Sequence, residues 1–192
     1  MPARNLKFES GSYYHVYNRG CNRAPIFSER DNYLYFLARI REYILPRTAS
    51  VVAYCLMPNH YHLLLLLHEN DLSASMHKLS VSYSKSFNKA QNRIGPLFQG
   101  PFRAIAVDRD EYLLHLTRYV HLNPVSAGLV LQPEEWEFSS YREYIGIRNG
   151  TLPKPDVVLE LIGSMERYRE FVGRTSHVEM TSEFEDLLLD VE

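Results

Sequence analysis

Residues 51–67 read VVAYCLMPNHYHLLLLL, and the fold turns on them. VVAYCLM (51–57) is an apolar, β-branched run, Pro58-Asn59 is the chemistry of a tight reversal, and HYHLLLLL (60–67) returns as a second strand. Side chains alternate faces along a strand, so His60 and His62 leave one face and Tyr61 the other. The leucines that follow say this strand is buried. Two neutral imidazoles side by side on a rigid strand suit a divalent metal. By itself, H-x-H is more often two separately satisfied histidines.

Working outward, SYYHVYNR (12–19) reads as another strand, and RGCNRAPIF as a loop punctuated by Gly20, Asn22 and Pro25. Ser28 is a candidate N-cap for a helix over Glu29–Ile44, with Tyr33, Phe36, Leu37 and Ile40 as its apolar stripe and Pro46 as its stop. A second helix spans Leu72–Asn92 on the spacing of Leu72, Met76, Leu79, Tyr83 and Phe87, and Gly95-Pro96 ends it. LFQGPFRAIAV (97–107) predicts a fourth strand with an irregular start at Gly100-Pro101. The order β-α-β-β-α-β predicts an α+β, ferredoxin-like fold: an antiparallel sheet with two helices on one face. Asp108 then caps a third helix over Arg109–Leu122, which Pro124 terminates.

Beyond Gly128 the character changes. PEEWEFSSYREYIG reads as a loop and short helix returning to the body, and short helices follow at 155–163, 165–174 and 182–190. The expected division is a body over 1–150 and an acidic helical C-terminal extension over 151–192. Residues 1–131 carry 15 Lys and Arg against 9 Asp and Glu, whereas residues 132–192 carry 6 against 14. A basic body suits a polyanion partner, although an uneven solvated surface gives the same asymmetry. Cys21 and Cys55 make neither a disulfide framework nor a paired ligand motif, and Cys55 reads as a buried small hydrophobe. No apolar run approaches a membrane span, so a cytoplasmic protein is expected.

RYVHLNPV (118–125) is the second informative cluster. Residues i and i+4 share a helix face, so Tyr119 and Asn123 project together, with Tyr112 and His115 on or near that stripe. Taken alone, such tyrosines usually pack, and an asparagine before proline serves a helix end. Taken with the histidine pair, they have a chemical logic. A metal would polarise a phosphate oxygen, the phenol would attack phosphorus, and the Asn123 carbonyl oxygen would complete the metal shell. His121 lies about 200° around a regular helix from Tyr119, which argues against its facing the same site. Tyr83 is the rival nucleophile, although its spacing with Leu79 and Phe87 fits a core stripe.

YHVYNRG (14–20), MPNHYHLLL (57–65), FN (87–88) with GPLFQGPFRA (95–104), and RYVHLNPVSAGLV (118–130) occur in that order. On these motifs, covering residues 12–144, the chain resembles the single-tyrosine HUH transposases, most closely the REP-associated tyrosine (IS200-like) group. The resemblance implies an enzyme that cuts and rejoins single-stranded or hairpin DNA through a 5′-phosphotyrosine link, with Mg²⁺ or Mn²⁺. It matches His60 and His62 to the metal pair and Tyr119 to the nucleophile. It places the nuclease unit in residues 1–150. Two positions depart from the pattern. Tyr61 stands where a bulky aliphatic is usual and still packs on the opposite face. Asn123 stands where insertion-sequence members carry glutamine, one methylene longer, which leaves the third ligand open between Asn123, His121 and water.

Phosphate contacts are expected from Arg19, Arg23, Lys85, Lys89, Arg93 and Arg103, and base stacking from Tyr14, Tyr17 or Phe102. Two other readings stay open. One is a non-catalytic single-stranded nucleic-acid-binding module on the same sheet; the other is a metal phosphodiesterase with water as nucleophile. Monomer and homodimer are both compatible with the sequence.

Overall fold

The computed structural model describes residues 6–45 and 47–174. Pro46, expected to stop the first helix, and the helix expected at 182–190 lie outside the described residues. Four strands form one antiparallel sheet: β1 (Tyr13–Arg19), β2 (Ala49–Met57), β3 (His60–Leu67) and β4 (Arg103–Val107), in the order β2-β3-β1-β4. With α1 (Arg30–Tyr43) between β1 and β2, and α2 (Leu72–Ala90) between β3 and β4, this is the ferredoxin-like arrangement that the sequence predicts.

Alternation along β3 sorts the two faces. Tyr61, Leu63, Leu65 and Leu67 join Tyr14 and Val16 of β1 in a core with Phe36 and Ile40 of α1 and Met76, Leu79 and Tyr83 of α2. Leu64 and Leu66 leave the other face, where they pack with Leu113 and Leu116 of a further helix, α3 (Asp110–Ser126). A β-bulge between Val51 and Ala53 resets the alternation of β2. Val52 and Ala53 therefore both join the α3 side, whereas Tyr54 and Leu56 return to the α1/α2 side.

Outside α3 lie three shorter helices, α4 (Tyr141–Tyr144), α5 (Asp156–Ile162) and α6 (Met165–Gly173). Val158, Tyr168 and Val172 share the α3 core with Tyr141 and Tyr144. The segment from Phe138 to Lys154 also covers the free edge of β2. Leu56 N–H donates to the Phe138 carbonyl, Ser140 N–H to that of Tyr54, and Lys154 N–H to that of Val51. A sheet edge that would otherwise present unpaired backbone groups is thus closed by the chain's own return.

Three local expectations need correction. Strand β4 begins at Arg103 rather than 97, because Gly100 has φ +156° and Pro101 has no N–H to give a ladder. Residues 97–99 instead make isolated contacts, Cys21 N–H to the Leu97 carbonyl and Gln99 N–H to that of Arg19. Helix α1 is capped at Glu29, not Ser28, since Asn32 Oδ1 accepts from both the Ser28 and Glu29 amides. Helix α3 starts with Arg109 as its N-cap, not Asp108, and runs through Pro124. Pro124 removes one helical N–H, but the helix ends a turn later at Gly128 (φ +67°). There, Gly128 N–H donates to the Val125 carbonyl and Leu129 N–H to that of Pro124, a Schellman closure.

Candidate active site

The reversal at Pro58-Asn59 is clasped by the loop after β1. Ile26 and Phe27 N–H both donate to the Pro58 carbonyl, and Gly20 N–H donates to that of Asn59. Gly20 is required there, since a Cβ would stand 2.0 Å from the Ala24 carbonyl oxygen. Asn22 and Arg23 take left-handed backbone conformations (φ +53° and +57°) to bring the chain back over the turn. The loop therefore fixes both the hairpin tip and the residues beside His60.

On the α3 face, strand register places Arg19 opposite His60 and Tyr17 opposite His62. Helix α3 packs across this face, with Val120 against Cys55 and Met57. That docking delivers Tyr119 and Asn123 to the histidines. Asn123 Oδ1 is 3.1 Å from His60 Nε2, and its Nδ2 is 3.4 Å from His62 Nε2. The Tyr119 ring meets the His62 ring edge to face at 5.6 Å. Two imidazoles, an amide and a phenol from distant parts of the chain thus converge.

Burial dominates the electrostatics here. It holds the His60 pKa down at about 4, with Arg19 adding to the depression and the Asn123 amide oxygen, which would accept from the charged ring, opposing it. His62, fully buried beside His60 and His15, is pushed well below the usual imidazole value. Both rings are neutral near pH 7, which is the metal-binding form. Burial raises Tyr119 to about 12, against which a hydrogen bond with Asn123 works. The phenol is therefore protonated at neutral pH.

The hydrogen bonds decide whether this set fits a cation. Asn59 Nδ2 donates to the Arg23 carbonyl at 3.4 Å, so its Oδ1 is the atom 2.7 Å from His60 Nδ1. A carbonyl oxygen only accepts, so the single ring proton of neutral His60 sits on Nδ1. Its Nε2 lone pair then faces Asn123 Oδ1, a second acceptor, across 3.1 Å. Two acceptor atoms 3.1 Å apart, with the His62 imidazole nitrogen beside the same amide, fit a divalent cation. No group of three or more His, Cys, Asp or Glu with metal-holding geometry occurs among the described residues, so an amide oxygen would supply the third protein donor.

A cleft of about 190 Å³ opens beside the histidines. Arg19, Arg23 and Arg103 line it, with Tyr17 and Gln99. The other basic residues named from the sequence lie elsewhere. Lys85 and Lys89 are exposed on α2, which packs on the opposite face of the sheet. Arg93 sets its guanidinium 5.9 Å over the Phe87 ring. Of the three aromatics named for base stacking, Tyr14 and Phe102 are core residues and Tyr17 borders the cleft.

His121 takes no part in the site. Its Nδ1 bonds the Tyr168 hydroxyl and its Nε2 the Ser140 hydroxyl, both at 2.7 Å. Tyr83 is also elsewhere, buried on the α1/α2 side with its hydroxyl donating to the Ile26 carbonyl. His115 packs against Phe171 of α6 at 5.3 Å, away from the histidine pair. Sequence reasoning missed His15, which is fully buried with Nε2 2.9 Å from His62 Nδ1. The signal was present: His15 and Tyr17 in YYHVY share a strand face in the same i, i+2 relation as His60 and His62.

The sequence model of the family described as "Transposase IS200 like" matches residues 9–123. A REP-associated tyrosine transposase of Haemophilus influenzae is 30% identical over 106 residues, 48% of this chain and 58% of that protein. The chain thus spans 58% of the length of that curated relative. The solved structure of a REP-associated tyrosine transposase bound to a REP hairpin superposes with a TM-score of 0.63 at 18% identity, covering 80% of this chain and 97% of that one. At that identity the likeness establishes the fold. No helix of the described residues is long and apolar enough to cross a membrane.

Proposed function

This chain belongs to the IS200-like transposase family, and on that premise we propose that it cuts and rejoins single-stranded DNA beside a hairpin, using Tyr119 as nucleophile. The observation that carries the reading is the position of Asn123, whose Oδ1 is 3.1 Å from His60 Nε2 and whose Nδ2 is 3.4 Å from His62 Nε2, on the helix that brings the Tyr119 ring 5.6 Å from that of His62. One helix thus brings an amide and a phenol to the two imidazoles, which is the arrangement that a tyrosine nucleophile beside a cation-held phosphate would require.

In this reading His60 Nε2, His62 Nε2 and Asn123 Oδ1 would hold Mg²⁺ or Mn²⁺, which when bound would supply charge neutralisation at a non-bridging phosphate oxygen. Tyr119 Oη forms a bond to phosphorus as the bond to the 3′ oxygen breaks. That leaves a 5′-phosphotyrosine and a free 3′ hydroxyl, with the phenolic proton passing to solvent or the leaving oxygen. Reversal by a 3′ hydroxyl rejoins the strand. Because burial raises Tyr119 to about 12 even with Asn123 opposing it, a bound cation would be needed to make the phenolate accessible. Arg19, Arg23 and Arg103 contact backbone phosphates, and Tyr17 offers a face to an unpaired base.

The decisive experiment incubates the protein with end-labelled hairpin DNA and Mn²⁺ and reads a shifted protein band on a denaturing gel. Tyr119→Phe is expected to abolish the band while hairpin binding persists. A band that survives in Tyr119→Phe excludes Tyr119. Cleavage without any adduct selects a water nucleophile, and binding that survives chelation without cleavage selects a non-catalytic module.

A further inference from the structure

His15 lies on β1 one diagonal step from His62, within the α3 face of the sheet. Its ring and that of His62 lie edge to edge and nearly coplanar, 15° between the planes and 5.1 Å between centroids, and the Tyr17 ring is 5.0 Å away. Its Nε2 is 2.9 Å from His62 Nδ1, its Nδ1 has no hydrogen-bond partner among the described residues, and the residue is fully buried. A polar ring with an unpaired nitrogen is a costly occupant of a buried sheet position that an aliphatic side chain would fill. Leu64 directly opposite shows what packing alone selects.

The cost has a purpose if His15 controls which nitrogen of His62 carries the proton. One proton lies between the two rings. If His15 Nε2 donates, His62 is protonated on Nε2, and that N–H meets the Asn123 Nδ2 amide, donor against donor, at 3.4 Å. If His62 Nδ1 donates, its Nε2 lone pair is directed at Asn123, and the spare proton of His15 stays on the unpartnered Nδ1. Metal-binding imidazoles characteristically donate their second ring N–H to an acceptor that sets tautomer and orientation, and here the acceptor would be another imidazole.

We propose that His15 is a positioning residue that accepts the His62 Nδ1 proton through its own Nε2, so holding the His62 Nε2 lone pair toward Asn123 and the cation position. His15 does this for His62, as the Asn59 amide does for His60. Each ring is then locked by a different neighbour, one from β1 and one from the hairpin turn. The inference rests on the reading of His60, His62 and Asn123 as a cation site.

Two measurements test it. In wild-type protein with ¹⁵N-labelled histidine and no metal, His62 is expected to carry its proton on Nδ1, with a ¹⁵N–¹⁵N coupling across the hydrogen bond to His15 Nε2. A proton bonded to His15 Nε2 overturns the proposal, whatever the metal does. Separately, Mn²⁺ binding followed by electron paramagnetic resonance is expected to weaken about 10–100-fold in His15→Phe and to recover in part in His15→Gln, whose amide oxygen can accept. Unchanged affinity in His15→Phe also overturns it. Should His15→Phe fail to fold, the wild-type ring spectrum still decides. Should wild-type protein bind no Mn²⁺, the cation-site reading fails, while the metal-free spectrum reports independently on His15.

Discussion

Asn123 Oδ1 stands 3.1 Å from Nε2 of His60, across 63 positions of sequence. The contact exists because Val120, three residues earlier on α3, is fully buried against Cys55 and Met57 of β2. Replacing Asn123 by Ala removes the amide oxygen from His60 and the hydrogen bond that opposes the raised pKa of Tyr119. Asn123→Ala is expected to weaken Mn²⁺ binding by about 10–100-fold and to slow adduct formation at least as much. Hairpin affinity in chelator should stay near the wild-type value. Calorimetry with Mn²⁺ and a gel-shift assay in EDTA separate the two effects, and equal Mn²⁺ affinity in both proteins would remove Asn123 from the ligand set.

The placement of the basic residues makes a second expectation specific. Arg19 and Arg103 line the cleft, whereas Lys85 and Lys89 stand on α2 across the sheet. Each phosphate contact to a single strand contributes about 0.7 to the slope of log affinity against log salt. Arg19→Ala with Arg103→Ala should lower that slope by about 1.4 if both residues touch phosphates. Lys85→Ala with Lys89→Ala should lower it less. The reverse ranking, measured by fluorescence anisotropy across a salt series, would move the DNA path onto the α2 side.

Periodicity made the sheet and the first two helices legible. HYHLLLLL is a strand with the bounds read from its sequence, because alternation of buried faces and the Pro58-Asn59 reversal agree. The end of α3 was not legible, since Pro124 carries the stronger local signal, whereas Gly128 with its two backbone bonds closes the helix. The i, i+4 relation of Tyr119 and Asn123 placed them on one stripe, while the helix geometry argued against His121 without excluding it, and the bonds of His121 to Tyr168 and Ser140 are what place it elsewhere. The bond from His15 to His62 could not be read directly, because adjacency of β1 and β3 is a property of the folded sheet. Lys85 and Lys89 were grouped with the arginines by charge alone, and charge does not say which face of a sheet a helix covers.

The segment that covers β2 is held by a nearly buried ion pair. Arg148 Nε is 2.7 Å from Glu143 Oε1, and the Glu143 side chain is only 6% exposed. The same guanidinium donates to the Glu137 carbonyl and to the Tyr54 hydroxyl. Glu143→Gln keeps the shape but leaves the Arg148 charge partly uncompensated. The expected loss is about 2–3 kcal/mol in urea unfolding, below the cost for a fully buried pair because Arg148 retains some solvent. Glu143→Gln with Arg148→Met should recover part of it, since the uncompensated charge is gone. A single variant as stable as wild type would mean that the backbone bonds of this segment suffice without the pair.

His121 gives the fold an acid limit that the active-site residues do not set alone. It is fully buried between the Tyr168 and Ser140 hydroxyls, and burial holds its pKa down at about 3. An unfolded chain takes up the same proton near pH 6.5, so between about pH 6.5 and 3 the unfolded state binds more protons than the folded one. Stability therefore falls as pH drops through that window, by about 1.4 kcal/mol per unit for this residue once pH is well below 6.5. His121→Gln keeps polar atoms for both hydroxyls and does not titrate. It should be less stable than wild type at pH 7.5 through lost packing, yet lose stability more slowly on acidification, so that the two curves approach each other by pH 5. Urea midpoints at half-unit steps from pH 7.5 to 5 measure this directly, and parallel curves would show that His121 accepts its proton in the folded protein as readily as in the unfolded chain.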